Sequence, residues 1–139
     1  MLKNIPNIIS PELLKILDEM GHGDEIVIGD SNFPATKNGQ RVVRADGIGG
    51  VALLDAILSL IPLDPYVQEN MFFMETVAGD PTPTIWPKYE ETAKKHDKNV
   101  RLGTIERQAF YKRAAEAFCI VQSGETALYG NIVLKKGVL

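Results

Sequence analysis

The stretch Gly21-His22-Gly23-Asp24-Glu25-Ile26-Val27-Ile28-Gly29-Asp30 decides the fold. Its centre, from Glu25 to Asp30, carries consecutive β-branched residues and no polar alternation. A strand wet on one side alternates apolar and polar residues, whereas a strand covered on both faces reads as a continuous apolar run. The segment is therefore read as a strand buried between two layers. A helix precedes it. Ser10 offers an oxygen to the unpaired N–H groups of a first turn, and Pro11 suits the first helical position. Leu13, Leu14, Ile16, Leu17 and Met20 then share one helical face. Gly21 is read as a left-handed cap ending that helix.

Outward from this unit the same alternation continues. A loop holding Asn38-Gly39 leads to a short strand, Arg41 to Arg44. Gly50 to Ile61 reads as an apolar helix stopped by Pro62, and Met71 to Val77 as a strand. The stiff segment Gly79-Asp80-Pro81-Thr82-Pro83-Thr84 reads as a loop, and Trp86 to Lys98 as a charged amphipathic helix. A strand from Asn99 to Ile105, a helix from Glu106 to Glu116 and a strand from Phe118 to Gln122 follow. Ala127 to Lys135 closes the chain as a last strand. Helices alternating with apolar strands argue for the α/β class, with helices on both faces of a mostly parallel sheet. No linker or repeat divides residues 1–139, so one domain is expected.

Composition narrows the partners. The 139 residues carry a net charge of −3, with 24% charged and 45% apolar residues. No basic block exists to meet phosphates, so no nucleic-acid partner is expected. An acidic surface gives no drive toward anionic lipid, and no run approaches the roughly 18 apolar residues of a membrane span. The N-terminus lacks the apolar core of a signal peptide, which points to a cytoplasmic protein. The single cysteine, Cys119, lies in Ala117-Phe118-Cys119-Ile120-Val121 and reads as a buried thiol.

The candidate chemistry begins at His22. Histidine moves protons near neutral pH because its unperturbed pKa is about 6.5. Glycines on both sides admit close approach. Asp30 stands at the carboxyl end of the following strand, the edge where open α/β sheets bind ligands. It is placed to hold a hydroxyl, to orient His22 or to share its proton. The plainer reading is a helix-end histidine capping a carbonyl and an aspartate in a turn. His22, Asp24 and Asp30 form a poor metal set, because no second histidine stands at ligand spacing. His96 sits among lysines and reads as solvated. Arg44-Ala45-Asp46-Gly47-Ile48-Gly49-Gly50 precedes a helix but fits neither a dinucleotide nor a phosphate-loop pattern. Arg107 borders the apolar face carrying Phe110 and reads either as a salt-bridge or surface residue or as a fork that suits hydroxyls or a ring oxygen. Tyr129, Gly130 and Asn131 interrupt the last strand, which gives either a hydroxyl-recognition set or a β-bulge.

Taken in order, these segments resemble the fucose mutarotase branch of the ribose pyranase/fucose mutarotase family. The resemblance runs through Ile9-Ser10-Pro11-Glu12-Leu13-Leu14, Met20-Gly21-His22-Gly23-Asp24-Glu25-Ile26, Asp30-Ser31-Asn32-Phe33-Pro34-Ala35 and Arg44-Ala45-Asp46-Gly47. It closes with Glu106-Arg107, Phe110-Tyr111 and Gly124-Glu125-Thr126-Ala127-Leu128-Tyr129-Gly130-Asn131-Ile132. Gly23 and Gly130 stand where the ribose branch has threonine and alanine, which favours the fucose branch. The resemblance implies a three-layer α/β/α sandwich with a mixed sheet. It implies an isomerase acting on a free monosaccharide, foremost L-fucose, without cofactor or metal. It makes His22 the proton donor and Asp30, Arg107, Tyr129, Gly130 and Asn131 the substrate-binding set. It also implies a homo-oligomer, a ring-shaped decamer or smaller, with sites near subunit contacts. Three other activities remain open at this point: pyranose–furanose interconversion of ribose-like sugars, a non-catalytic sugar-binding module, and a metal-dependent hydrolase.

Overall fold

The computed structural model describes residues 1–139. Eleven elements follow one another. They are α1 (Pro11–Glu19), β1 (Glu25–Gly29), α2 (Ala35–Asn38), β2 (Val42–Ala45), α3 (Gly50–Leu58), β3 (Met71–Met74), α4 (Ile85–His96), β4 (Leu102–Ile105), α5 (Arg107–Glu116), β5 (Cys119–Ser123) and β6 (Ile132–Lys135). The sheet order is β2-β5-β1-β6-β3-β4. β2, β5 and β1 run parallel, as do β3 and β4, while β6 lies antiparallel to both its neighbours, β1 and β3. The sheet is thus mixed, and one reversed strand joins two parallel blocks.

Side chains alternate across the sheet and pack two cores. Ile26, Ile28, Cys119, Val121, Ile132 and Leu134 face α1, α3 and α4. Val27, Ile120, Val133 and Phe72 face α2 and α5, against Phe33, Phe110 and Ala114. Two apolar clusters on opposite faces of one sheet make a three-layer sandwich, and they explain why β1 has no polar alternation. Each fully buried Ile or Val contributes about 1.5–3 kcal/mol relative to exposure.

Local signals held in part. Ser10 Oγ accepts the Leu13 N–H at 3.1 Å, and Pro11 opens α1. The helix ends on Met20 in extended conformation, and the left-handed residue is Gly23 (φ +86°), not Gly21. The Asp24 carboxylate accepts the Gly21 N–H at 2.7 Å and closes this turn, so Gly21 does not need the left-handed region. The last strand is shorter than its composition promised. Residues 127–131 form a turn, with Tyr129 at φ +57°, and pairing begins only at Ile132. They therefore form neither an interrupted strand nor a bulge. The short helix α2 was not anticipated, since four residues give no periodicity to read. His96 is exposed, as expected, and its Nε2 lies 2.7 Å from Asp55 on α3. Cys119 is buried, and burial pushes its thiol up to about 11.

Candidate active site

The carboxyl ends of the parallel strands and the amino end of reversed β6 meet at one edge of the sheet. A cavity of about 280 Å³ opens there. Its polar lining is Asp30, Asn32, Asp80, Arg107, Tyr129 and Asn131, and Phe33, Met74, Val77 and Leu128 form an apolar wall. Asp30 and Asn32 follow β1, Asp80 comes from the loop after β3, Arg107 is the first residue of α5, and the 127–131 turn delivers Tyr129 and Asn131. The fold thus gathers residues that lie about a hundred positions apart.

Asp30 is only 7% exposed. Its carboxylate accepts the Asn32 N–H at 3.0 Å and also bonds the Gly130 N–H and the Asn131 side chain. Burial nevertheless wins over these donors and pushes its pKa above the usual carboxylate range. The Asp30 backbone is fixed as well: its N–H donates to Asn131 Oδ1 at 2.8 Å, and its carbonyl accepts from Gln122 Nε2 at 2.5 Å.

The turn opposite is held from below. Glu125 accepts the Gly50 N–H at 3.1 Å with one oxygen and the Ala127 N–H at 3.0 Å with the other. It therefore ties the turn to the start of α3. The Tyr129 carbonyl accepts from Trp86 Nε1 at 3.0 Å, and the Gly130 carbonyl accepts from the Tyr89 hydroxyl at 3.0 Å. A left-handed tyrosine costs about 1–2 kcal/mol, and these bonds hold it there. Burial pushes the Tyr89 hydroxyl well above its usual range, so it remains a donor. Gly130 contributes backbone: a Cβ there would stand 3.0 Å from Glu125 Cγ. The segment Asp46-Gly47-Ile48 lines no part of the cavity and acts as a buttress, its Ile48 carbonyl accepting the Gly124 N–H at 2.8 Å.

Arg107 stands at the rim with its Nε 3.4 Å from the Tyr111 hydroxyl and its guanidinium carbon 5.6 Å from that ring. Bonding to the phenol raises its pKa, so the fork stays charged. Its terminal nitrogens are left for a ligand.

His22 is absent from this pocket. It precedes β1 while Asp30 follows it, and the five-residue strand between them spans about 16 Å. The expected pairing of His22 with Asp30 does not occur within one chain. The carboxylate that meets His22 is Asp64, whose Oδ1 lies 3.2 Å from Nε2. The Asp64 side chain is 3% exposed and that of His22 is 46% exposed. Asp64 Oδ1 also accepts the Tyr66 N–H at 3.0 Å. That bond, followed by the His22 ring, outweighs burial and lowers the Asp64 pKa. An ionised Asp64 holds the proton of His22 on Nε2 and leaves Nδ1 for chemistry. Asp64 sits in Ile61-Pro62-Leu63-Asp64-Pro65-Tyr66, an apolar segment with one acid, and that contrast was the signal available in the sequence. No three His, Cys, Asp or Glu side chains converge in a way that could hold a metal ion.

A sugar-sized pocket at the edge of an α/β/α sandwich, with carboxylates and a charged fork on one side and an apolar wall on the other, has the chemistry of a site for small polyhydroxylated molecules. The comparisons with known proteins specify it further. The chain matches the model of the RbsD / FucU transport protein family over residues 3–139, and it belongs to that family. A fucose mutarotase from Homo sapiens is 49% identical over 146 residues, covering 99% of this chain and 94% of that protein. The L-fucose mutarotase of Histophilus somni (strain 2336) is 49% identical over 140 residues, covering 99% and 97%. The crystal structure of the fucose mutarotase in complex with L-fucose from Streptococcus pneumoniae superposes with a TM-score of 0.94 at 48% identity, covering 99% of each chain.

Proposed function

We infer that this protein is an L-fucose mutarotase, an isomerase that interconverts the α and β anomers of the free sugar by opening and reclosing its ring. The observation that carries the reading is the pocket itself, joined to full-length likeness to proteins with that activity. Mutarotation needs a proton delivered to the ring oxygen and another removed from the anomeric hydroxyl. Both are acid–base steps, worth about 10²–10⁴-fold when the groups are positioned. The Arg107 fork, the Asp30 carboxylate and the Tyr129-Gly130-Asn131 turn orient the hydroxyls. His22, through Nδ1, is the proton donor, and Asp64 stabilises the imidazolium. No step calls for a cofactor, and the reaction is suited to the cytoplasm, where free monosaccharides are consumed.

The separation of His22 from the pocket completes the proposal. The catalytic unit is shared between two copies of the chain, with His22 of one copy facing the pocket of its neighbour. Two exposed apolar ends support this: Leu128 at the pocket rim is 72% exposed, and Tyr66 beside His22 is 76% exposed. A contact between different surfaces of identical chains is heterologous and makes a ring where its rotation closes, and the resemblance implies a ring of ten copies or fewer.

Mixing tests the proposal. His22→Ala and Arg107→Ala proteins are co-refolded and assayed at an L-fucose concentration well below the raised KM of the Arg107→Ala protein, where each alone is nearly inactive. Anomer exchange of L-fucose by saturation-transfer NMR returns to about a quarter of the wild-type level if each site draws on two chains. No recovery in demonstrably mixed oligomers would refute the shared site. Failure of the wild type to accelerate exchange would refute the activity and leave a sugar-binding module.

A further inference from the structure

The loop at residues 75–84 lies beside the pocket and has no part in the chemistry described so far. It is stiffened by Pro81 and Pro83 and turned by Gly79 at φ +92°. Two of its bonds converge on one oxygen. The Tyr129 hydroxyl donates to the Asp80 carboxylate and accepts the Val77 N–H at 3.2 Å. Asp80 also stands on the partition between the sugar-sized cavity and a neighbouring cleft of about 290 Å³ lined by Pro81, Pro83 and Ala127.

We propose that Asp80 is a positioning residue: by taking the only proton of Tyr129 it fixes that phenol as an acceptor toward the sugar and pins Val77 as a wall of the pocket. The inventory of lone pairs supports this. A phenol has one proton and two acceptor positions. With the proton on Asp80 and one acceptor position filled by Val77, a single acceptor position faces the cavity. The Asp30 carboxylate is already shared with the Asn32 N–H. Arg107 can only donate. A sugar hydroxyl that accepts from Arg107 needs somewhere to send its own proton, and the Tyr129 oxygen, fixed by Asp80, is an acceptor that faces the cavity. Without Asp80 the phenol proton is free to turn into the cavity, where it competes with the hydroxyl it should receive. The same loss releases the loop and loosens the apolar wall at Val77.

The inference rests on the mutarotase reading for its kinetic arm and not for its structural one. The proteins to compare are wild type, Asp80→Ala, Asp80→Asn, Tyr129→Phe and the Asp80→Ala/Tyr129→Phe double variant. Hydrogen exchange across residues 75–80 is read by mass spectrometry, and L-fucose exchange by NMR. In Asp80→Ala the loop exchanges faster and KM rises about tenfold with kcat little changed, the size expected for one charge-assisted bond. Asp80→Asn keeps an acceptor oxygen and recovers most of both. Asp80→Ala adds nothing to the KM of Tyr129→Phe, because Asp80 acts on the sugar through the Tyr129 oxygen. Unchanged loop exchange in Asp80→Ala, an asparagine variant as impaired as alanine, or a fall in kcat at constant KM would each overturn the proposal. If the wild type itself leaves anomer exchange at the buffer rate, the activity is misassigned. Loop exchange and calorimetric L-fucose affinity then still decide the role of Asp80.

Discussion

The two ends of β1 contrast. At its carboxyl end the Asp30 backbone is bonded on both sides, the carbonyls of Tyr129 and Gly130 are held from below, and the carboxylate is buried. At its amino end His22 projects on a tight turn, half exposed, with one carboxylate behind it. The first arrangement suits recognition of a ligand without adjustment. The second leaves an imidazole accessible. On the proposed function, recognition and proton transfer stand at opposite ends of one strand.

Substitutions can separate the two ends. The largest effect is expected for His22→Ala: catalysed exchange falls by about 10²–10⁴-fold while L-fucose affinity is nearly kept. An equal loss of affinity would mean that this end also recognises the sugar. Arg107→Ala makes the converse change, a rise in KM of about tenfold to a hundredfold, read from exchange rates across sugar concentration. Asp64→Asn lowers kcat by about tenfold to a hundredfold with KM unchanged, since only the charged form of His22 loses its partner. The same variant tests a stability effect. The Asp64 pKa is lowered on folding, so its contribution is present above the pKa of the unfolded aspartate and is lost as pH falls through the folded value. The melting temperature of wild type should therefore fall more steeply on acidification than that of Asp64→Asn. Asp30 shifts the other way. Its raised pKa means that the pocket loses its anion at a higher pH than an ordinary aspartate would. KM should accordingly begin to rise while pH is still above the usual carboxylate range. The smallest effect belongs to Tyr89→Phe, which deletes one bond beneath the Gly130 carbonyl: about 1 kcal/mol of stability by denaturant melts, with kcat kept.

Much of this architecture was legible in the residues. The unbroken apolar run of β1 required cover on both faces, and two cores supply it. Of the residues that the resemblance assigns to the sugar, Asp30, Arg107, Tyr129 and Asn131 line one cavity and Gly130 lies behind it, because three strand ends and one reversed strand converge on one edge. The partner of His22 was not legible. Asp30 is eight residues away along the chain and Asp64 is forty-two, yet β1 carries the first out of reach while the loop before β3 brings the second back. Separation in sequence says nothing about which end of a strand a residue occupies once a sheet is formed. The left-handed Tyr129 was hidden for a related reason: aromatic residues favour strands, and only the bonds from Trp86 and Tyr89 override that preference.

The length of β1 has a consequence in counting. If each chain lends its histidine to one neighbour and receives one from another, an open row of n copies holds n − 1 complete sites, and only closure supplies the last. A lone chain then holds none. Activity per chain would vanish on dilution faster than the fold itself is lost, and the concentration at which it vanishes would report the affinity of one copy for the next.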